Sequence, residues 1–507
     1  MSGGKSVRDV GLARQLFVDD YVVEQMANVS RVLNPVEKHR DNPLLTAEAA
    51  WEDAASMSVA TALYDRSEKR FRMWYTVPGG VCYAASPDGL RWERPTLGLS
   101  DFRGSAKNNL AAGLPGPTEG IVYSPEMVGS ELPEKYYKSL CREEHGWAVY
   151  YSGDGLTWTA GTSNPVVTAV VLGDVCSTGK SSQDFPEGVF YKKTPPPKYL
   201  AFPQFRVRVG RFERRCVGFS GCPMTFPDTF AAWPVPSLVL APDPLDDELA
   251  DERLTAAADT FGFDSLEDRR SEFCGMTGFC HEGAFLGLLW VFHAGVQSGT
   301  HGADVDGIVD VQLTSSRDLV HWQRAGEREP FIPLGSPGDW DSGQIQTANS
   351  PIVVGDEIWI YYTGRSFSHS SALLHQSRAR KARRGSASPL AGIGLAKLRL
   401  DRFVSLDAGE VEGTVTTRPL QFDGRELVIN AQACEGSVAV EILSRGGAPI
   451  EGFSAAECDL FTGDAVRHTV TWQGNSDLSA LRAEPIRLRF HLRRASLYSF
   501  AFSGWLG

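Results

Sequence analysis

The sequence predicts an all-β protein, a five-bladed β-propeller followed by a C-terminal β-sandwich. Three observations predict it. Short runs rich in Val, Phe, Tyr and Trp are broken roughly every eight to twelve residues by Gly, Pro, Asp or Asn, and sustained helical periodicity is scarce. One phrase recurs, as SPDGLRW (86–92), SGDGLTW (152–158) and SRDLVHW (316–322). Beyond about residue 413 the alternating strands continue without that phrase.

The first unit has SVATALYD (58–65), RFRMWYTV (70–77) and VCYAAS (81–86), with Trp92 opening a fourth strand after the turn. The second has GIVYSP (120–125), KYYKSLC (135–141) and WAVYYS (147–152), closed by Trp158. The third reads GVFYKK (188–193), KYLAFPQF (198–205) and RRCVGFS (214–220), then SGCPMTFPDTFAAW (220–233), where the turn has degenerated but a Trp still closes it. The fourth has FLGLLWVFH (285–293) and VDVQLTSS (309–316) before SRDLVHW; the fifth has SPIVVGDEIWIYYTG (350–364) and GIGLAKLRL (392–400). A lone four-stranded unit cannot bury both faces, and radial repetition solves that. LFVDDYVV (16–23), stranded before the first unit, is expected to complete the last one. The segments ELVINAQA, GSVAVEIL, HTVTWQG, PIRLRFHL and SLYSFAF read as the sandwich. The expected domains are a propeller over 1–410 and a sandwich over 411–507.

In S-x-D-G-x-x-W the Asp accepts bonds from the turn's own backbone, Gly supplies positive φ, and Trp wedges between neighbouring blades. Asp88, Asp154 and Asp318 are therefore structural, as are Asp65 and Asp356 in hairpin turns.

Apolar residues at 42% supply proper cores over 507 residues, a length that suggests two domains. The net charge of −12 argues against a phosphate-backbone partner, so nucleic acid is not expected, and a neutral carbohydrate is compatible. The basic run RARKARR (378–384) reads as a solvated loop, and PPPK (195–198) as a hairpin loop. Nine cysteines without CxxC pairs suit reduced core thiols, with no metal and no cofactor expected. No export signal and no membrane span is read, so a cytoplasmic protein is expected.

The blade phrases, the segment WDSGQIQTANSPIVVGDEIWIYYTG (340–364) and the appended sandwich resemble the five-bladed propeller glycoside hydrolases, the clan of families 32, 43, 62, 68, 117 and 130. The chain is most similar to bacterial family 32-like proteins that open on LFVDDY and end like GDAVRHTVTW and LSALRAEPIRLRFHLRRASLYSF. The resemblance implies a glycosidic mechanism. It does not imply fructosidase specificity: the family 32 signatures W-M-N-D-P-N-G, R-D-P and E-C are missing from the propeller, and the single E-C pair, Glu457-Cys458, lies in the sandwich.

Glycoside cleavage needs one carboxylic acid to protonate the leaving oxygen and a second carboxylate to activate water or attack carbon. A propeller gathers such groups at the mouths of its innermost strands. Acids near those ends are Glu52 and Asp53 beside Trp51, Glu119, Asp174, Asp184, Glu272 and Asp341. Glu282 reads as part of a hairpin turn. By analogy with the clan, Asp53 is expected to be the base or nucleophile and Glu272 the proton donor, with Asp174 holding hydroxyls or tuning that donor. Trp51 and Trp340 offer flat faces to sugars, and Gln344, Gln346 and Asn349 offer hydrogen bonds. His293 and His301 are placed to reach the axis. Two rival functions stay open: a phosphorylase, for which Arg365 and Lys180 are the nearby basic groups, and a non-catalytic carbohydrate-binding propeller. A sialidase is disfavoured by the spacing of its aspartate box.

Overall fold

The computed structural model describes residues 7–53, 55–116, 118–124, 133–144, 146–166, 172–180, 199–222, 233–297, 305–370 and 389–504. The N-terminal stretch gives β1 (Arg8–Gly11), β2 (Gln15–Leu16), β3 (Val23–Ala27), β4 (Ser30–Leu33) and β5 (Glu37–Lys38). Five antiparallel meanders follow. The first is β6 (Ser58–Asp65), β7 (Arg70–Val77) and β8 (Gly80–Ser86), and the second is β9 (Thr118–Tyr123), β10 (Tyr137–Glu143), β11 (Gly146–Ser152) and β12 (Thr159–Ala160). The third is β13 (Leu172–Lys180), β14 (Tyr199–Val209), β15 (Phe212–Cys222) and β16 (Ser237–Leu240). Its inner strand therefore contains LGDVCS (172–177), whereas GVFYKK and PPPK lie outside the described residues.

Helices α1 (Pro244–Ala256) and α2 (Ala258–Phe261) then lead into the fourth meander, β17 (Leu266–His281), β18 (Ala284–Gln297), β19 (Val305–Ser316), β20 (Trp322–Arg324) and β21 (Pro330–Ile332). The fifth is β22 (Gln344–Thr347), β23 (Ile352–Val354), β24 (Glu357–Arg365) and β25 (Ala391–Arg399), joined to the fourth by one parallel pair, Val309 with Gln344. α1 departs from the strand pattern for a local reason. Asp243 caps it by accepting from the N–H groups of Leu245 and Asp246, Asp246 reciprocates, and Pro244 opens the first turn.

The innermost strands touch in cyclic order: β6 on β9, β9 on β13, β13 on β17, and β22 on β6. β17 meets the end of β22 where Thr277 Oγ1 donates to Ala348 O at 3.2 Å and Thr347 Oγ1 to Thr277 Oγ1 at 3.1 Å. The repeated turns explain how each meander grips the one before it. Asp88 accepts from the N–H groups of Leu90 and Arg91, Asp154 from Leu156 and Thr157, and Asp318 from Val320 and His321. Gly89, Gly155 and, in the degenerate copy, Leu319 take φ of 74°, 78° and 68°. The positive φ carries the turn flat onto an aromatic next door, so that Trp74 Nε1 donates to Gly155 O at 2.7 Å and Tyr361 Oη to Gly89 O at 2.7 Å. Trp92 packs edge-on against Tyr361 and Trp322 against Phe202, at 5.6 and 5.8 Å between centroids.

The remaining sheet corrects one expectation. LFVDDYVV does not complete the fifth meander; β5 does, pairing with Ala396 and Lys397 of β25. Residues 8–33 instead join the C-terminal sheet of β26 (Val404–Ala408), β27 (Gly413–Thr417), β28 (Leu420–Phe422), β29 (Glu426–Ser444), β30 (Phe461–Thr469), β31 (Ile486–Arg493) and β32 (Ala495–Ser503). β1 runs parallel to β28, while β2, β3 and β4 run antiparallel to β32, β27 and β26. Side-chain alternation is the cause. Phe17 and Val22 enter the core of that sheet, whereas Leu16 and Val18 enter the core shared by the fourth and fifth meanders, so one short segment seals two apolar surfaces. Strand pairing thus cuts across the expected division at residue 410.

At that junction His281 Nε2 lies 2.7 Å from Asp401 Oδ1, and Arg14 reaches Asp401 and Glu282 at 2.8 and 2.7 Å. Burial works against the charge on Asp401, but Arg14 and the bonds from His281 and Ser499 outweigh it and bring the carboxyl down to about 2. Glu282 does sit in the β17–β18 turn, with φ of 54°. The eight cysteines whose side chains are described are free thiols, seven of them buried. Among the described residues no helix is long and apolar enough to cross a membrane.

Candidate functional site

The middle of the strand circuit is stitched shut. Asn349 Nδ2 donates to Thr178 O at 2.8 Å and Ile121 O at 3.1 Å, Asn349 N donates to Ala60 O at 3.0 Å, and Ile121 N donates to Thr61 Oγ1 at 2.7 Å. Asn349, expected to bind sugar hydroxyls, is thereby a backbone tie between four inner segments. Of the candidate acids, Asp53 precedes β6, Asp341 precedes β22, and Glu272 lies in the first half of β17.

Glu272 is 3% exposed. Arg215 Nη1 donates to its Oε2 at 2.7 Å, and Arg270 donates to its Oε1 from Nε at 3.0 Å and Nη2 at 2.8 Å. The Arg214-Arg215 pair shows strand alternation at work. Arg214 points to Asp247 of α1 at 2.6 Å, and Arg215 points the opposite way to Glu272. Arg270 also lies over the Phe212 ring and Arg215 over Phe292, at 4.6 and 5.5 Å.

Arg365, at the end of β24, joins the first and fifth meanders. It donates to Ala55 O and Met57 O, each at 3.2 Å, and to Gln346 Oε1 at 2.9 Å. The charges of both Arg215 and Arg365 act on His369, whose ring lies 4.4 Å from that of Phe292. Burial, then the charges of Arg215 and Arg365, lower its pKa to about 4, so the imidazole is neutral near pH 7. Arg215 thus links the Glu272 carboxylate to the surroundings of His369, whose ring lies on Phe292, the residue paired with Glu272 across β17 and β18.

The other expected residues divide. Asp53 is half-buried and accepts from Ala55 N at 2.9 Å. The backbones of Glu119 and Asp174 lie in β9 and β13, but their side chains, that of Lys180, and all of Asp184, His301 and residues 378–384 fall outside the described set. Trp51 is not an open platform: its Nε1 donates to Asn109 Oδ1 at 2.8 Å and its ring packs edge-on against Phe102. Glu52 is a buried knot that accepts from Tyr75 Oη, Arg94 Nε and the N–H groups of Glu48 and Ala49. Burial opposes its charge, but the Ala49 N–H, the Tyr75 hydroxyl, the Glu48 N–H and Arg94 together lower its pKa.

Trp340 stacks on Tyr362 at 5.5 Å and fills the space over Gly364 and Gly394, which makes it core. Asp341, 2% exposed, is paired with Lys38 at 2.6 Å and accepts from Tyr362 Oη at 2.9 Å. Gln344 is buried and donates to Phe367 O at 2.9 Å. His293 does not reach the axis. It sits under α1 with Nε2 2.9 Å from Asp310 Oδ2 and from Arg253 Nη1, and Nδ1 3.4 Å from Ser271 Oγ. This serine, histidine and aspartate are not a nucleophilic triad, because all three are at most 2% exposed and the Ser271 hydroxyl donates to Asp246 O at 2.7 Å.

Sequence reasoning missed Arg215, Arg270 and His369. The two Arg-Arg pairs, 214–215 and 269–270, were the available signal; His369 lies in a polar stretch with none. Among the described residues no group of three His, Cys, Asp or Glu could hold a metal ion. A separate groove of about 700 Å³, lined by Tyr64, Phe71, Val353, Leu400, Arg14 and Arg467, lies where the first and fifth meanders meet the C-terminal sheet.

No protein-family model matches the chain, and no curated protein is similar to it in sequence. A comparison of structures finds similarity to solved glycoside hydrolases. One described only as a glycoside hydrolase shares 10% identity at a TM-score of 0.39, over 72% of this chain and 92% of its own. The catalytic domain of a Coprinopsis cinerea family 62 α-L-arabinofuranosidase shares 10% at 0.37, over 72% and 98%. A Bombyx mori family 32 β-fructofuranosidase shares 11% at 0.35, over 93% and 95%. At these values the likeness carries no assignment of activity.

Proposed function

We propose that the five meanders are the blades of a five-bladed propeller and that the chain is a glycoside hydrolase acting at the end where the inner strands start. The observation that carries this reading is Glu272: a buried carboxylate fixed by two guanidinium groups, with His369 on the ring of Phe292, the residue paired with Glu272 across β17 and β18. The expected roles are exchanged. A proton on Glu272 would displace a charge-assisted bond from Arg215 or Arg270 and leave a buried guanidinium short of its partner. Glu272 therefore takes the part of base, nucleophile or stabiliser of the oxocarbenium-like transition state, and Asp53 that of donor to the leaving oxygen. Asp174 is retained as a residue that holds hydroxyls.

The same two ion pairs favour a second reading, a non-catalytic carbohydrate-binding protein in which Glu272 is purely structural. A panel of p-nitrophenyl glycosides and plant and algal oligosaccharides separates the two. The hydrolase reading expects cleavage of at least one member, with Glu272→Gln and Asp53→Asn each lowering kcat by about 10²–10⁴ while remaining folded. Binding without cleavage supports the second reading. Cleavage that persists in both variants would falsify the site.

A further inference from the structure

We infer that His369 is a substrate-positioning residue, whose imidazole exchanges hydrogen bonds with a hydroxyl of the sugar unit bound beside Glu272. The inference rests on the hydrolase reading. Its first support is how the histidine is held. Ser366 N donates to Leu390 O at 2.9 Å, Ser368 Oγ to Asp306 Oδ2 at 2.8 Å, His369 N to Gly307 O at 2.8 Å, and Ser370 N to Asp306 Oδ1 at 2.8 Å. Gly307, at φ of 157°, passes so close to β18 that a Cβ there would sit 1.8 Å from His293 O. The acceptor for His369 N is thus fixed in turn.

The second support is what the ring itself does. One face lies against Phe292, yet neither ring nitrogen has a hydrogen-bond partner among the described residues. The side chain is half-buried, so its ring nitrogens are open to water in the free protein and to a ligand's hydroxyl in a complex. The neighbours narrow the ligand's chemistry. With the charges of Arg215 and Arg365 acting on it the ring is uncharged, so it has one donor and one acceptor. A sugar hydroxyl is also one donor with acceptor lone pairs, and it matches that pattern without a change of charge.

The test uses the full chain and whichever p-nitrophenyl glycoside of the panel it cleaves. His369→Ala is expected to raise KM about tenfold or more with kcat changed by less than about threefold, and His369→Gln to recover part of the loss. As a second measurement, diethyl pyrocarbonate should acylate His369 in the free protein, and the glycoside's free sugar should protect it, read by mass spectrometry of the peptide containing His369. An unchanged KM together with no protection overturns the assignment of His369 and leaves the hydrolase reading standing. A chain that cleaves no member of the panel overturns both.

Discussion

Glu272 and His369 make opposite demands on their surroundings, and each demand can be measured. Removing the Glu272 carboxylate in Glu272→Ala breaks its ion pairs with Arg215 and Arg270 at a buried position, so unfolding in urea is expected to show a loss of about 3–5 kcal/mol. The isosteric Glu272→Gln should lose less, because it keeps an acceptor for one guanidinium. His369 acts on stability through pH. Its folded pKa of about 4 lies below the ordinary 6.5, so between these values the unfolded chain binds the extra proton. Its contribution is therefore complete above about pH 6.5 and lost as pH falls towards 4, by roughly 3 kcal/mol in all. In His369→Gln the stability profile should be flatter across that window; an unchanged profile would contradict a ring kept neutral by burial and the charges of Arg215 and Arg365. At this level the sequence was only partly legible. An acid before a strand looks the same whether it is held by two guanidinium groups, as Glu272 is, or tied up in a knot of Tyr75, Arg94 and two N–H groups, as Glu52 is. The difference lies in partners that come from distant segments.

Elements were easier to read, because their causes are local. The three S-x-D-G-like turns carry their own acceptor, their own positive-φ residue and their own Trp, and the structure uses all three as expected. Gly155→Ala tests the arrangement: its Cβ would lie 2.7 Å from Trp74 at a φ of 78°. The strain of the left-handed conformation alone is about 1–2 kcal/mol, and the clash adds to it, so the melting temperature should fall by several degrees. A variant as stable as the wild type would mean that the turn does not press on Trp74. Gly98→Ala has positive φ but open space around it, and should cost only the strain. What escaped at this level was α1, since a capping box and a Pro at the first helical position sit inside an acidic stretch, PLDDELADERLTA, that shows little amphipathic stripe. The inner strand of the third meander was also misplaced, for its LGDVCS stretch is less apolar than the strands around it.

Over the whole molecule, the N-terminus is the part that sequence order misleads about. Proximity along the chain suggested that residues 16–23 would close the fifth meander, yet pairing of β2, β3 and β4 with β32, β27 and β26 carries both ends of the chain into one sheet. Arg14 holds that union to the strand circuit through buried Glu282 and Asp401. Arg14→Ala should therefore destabilise the protein by about 3–5 kcal/mol and speed proteolysis at the junction. A fragment of residues 404–504, lacking four of the sheet's strands, should not fold by itself, and a cooperative melt of that fragment would argue against this pairing. Where a glycan binds is decided by a crystal structure of the Glu272→Gln protein soaked with an oligosaccharide that the wild type cleaves. Sugar density is expected within hydrogen-bonding distance of residue 272 and His369. Density only in the groove lined by Tyr64, Phe71 and Arg467, with nothing at the strand-start end, would contradict that placement.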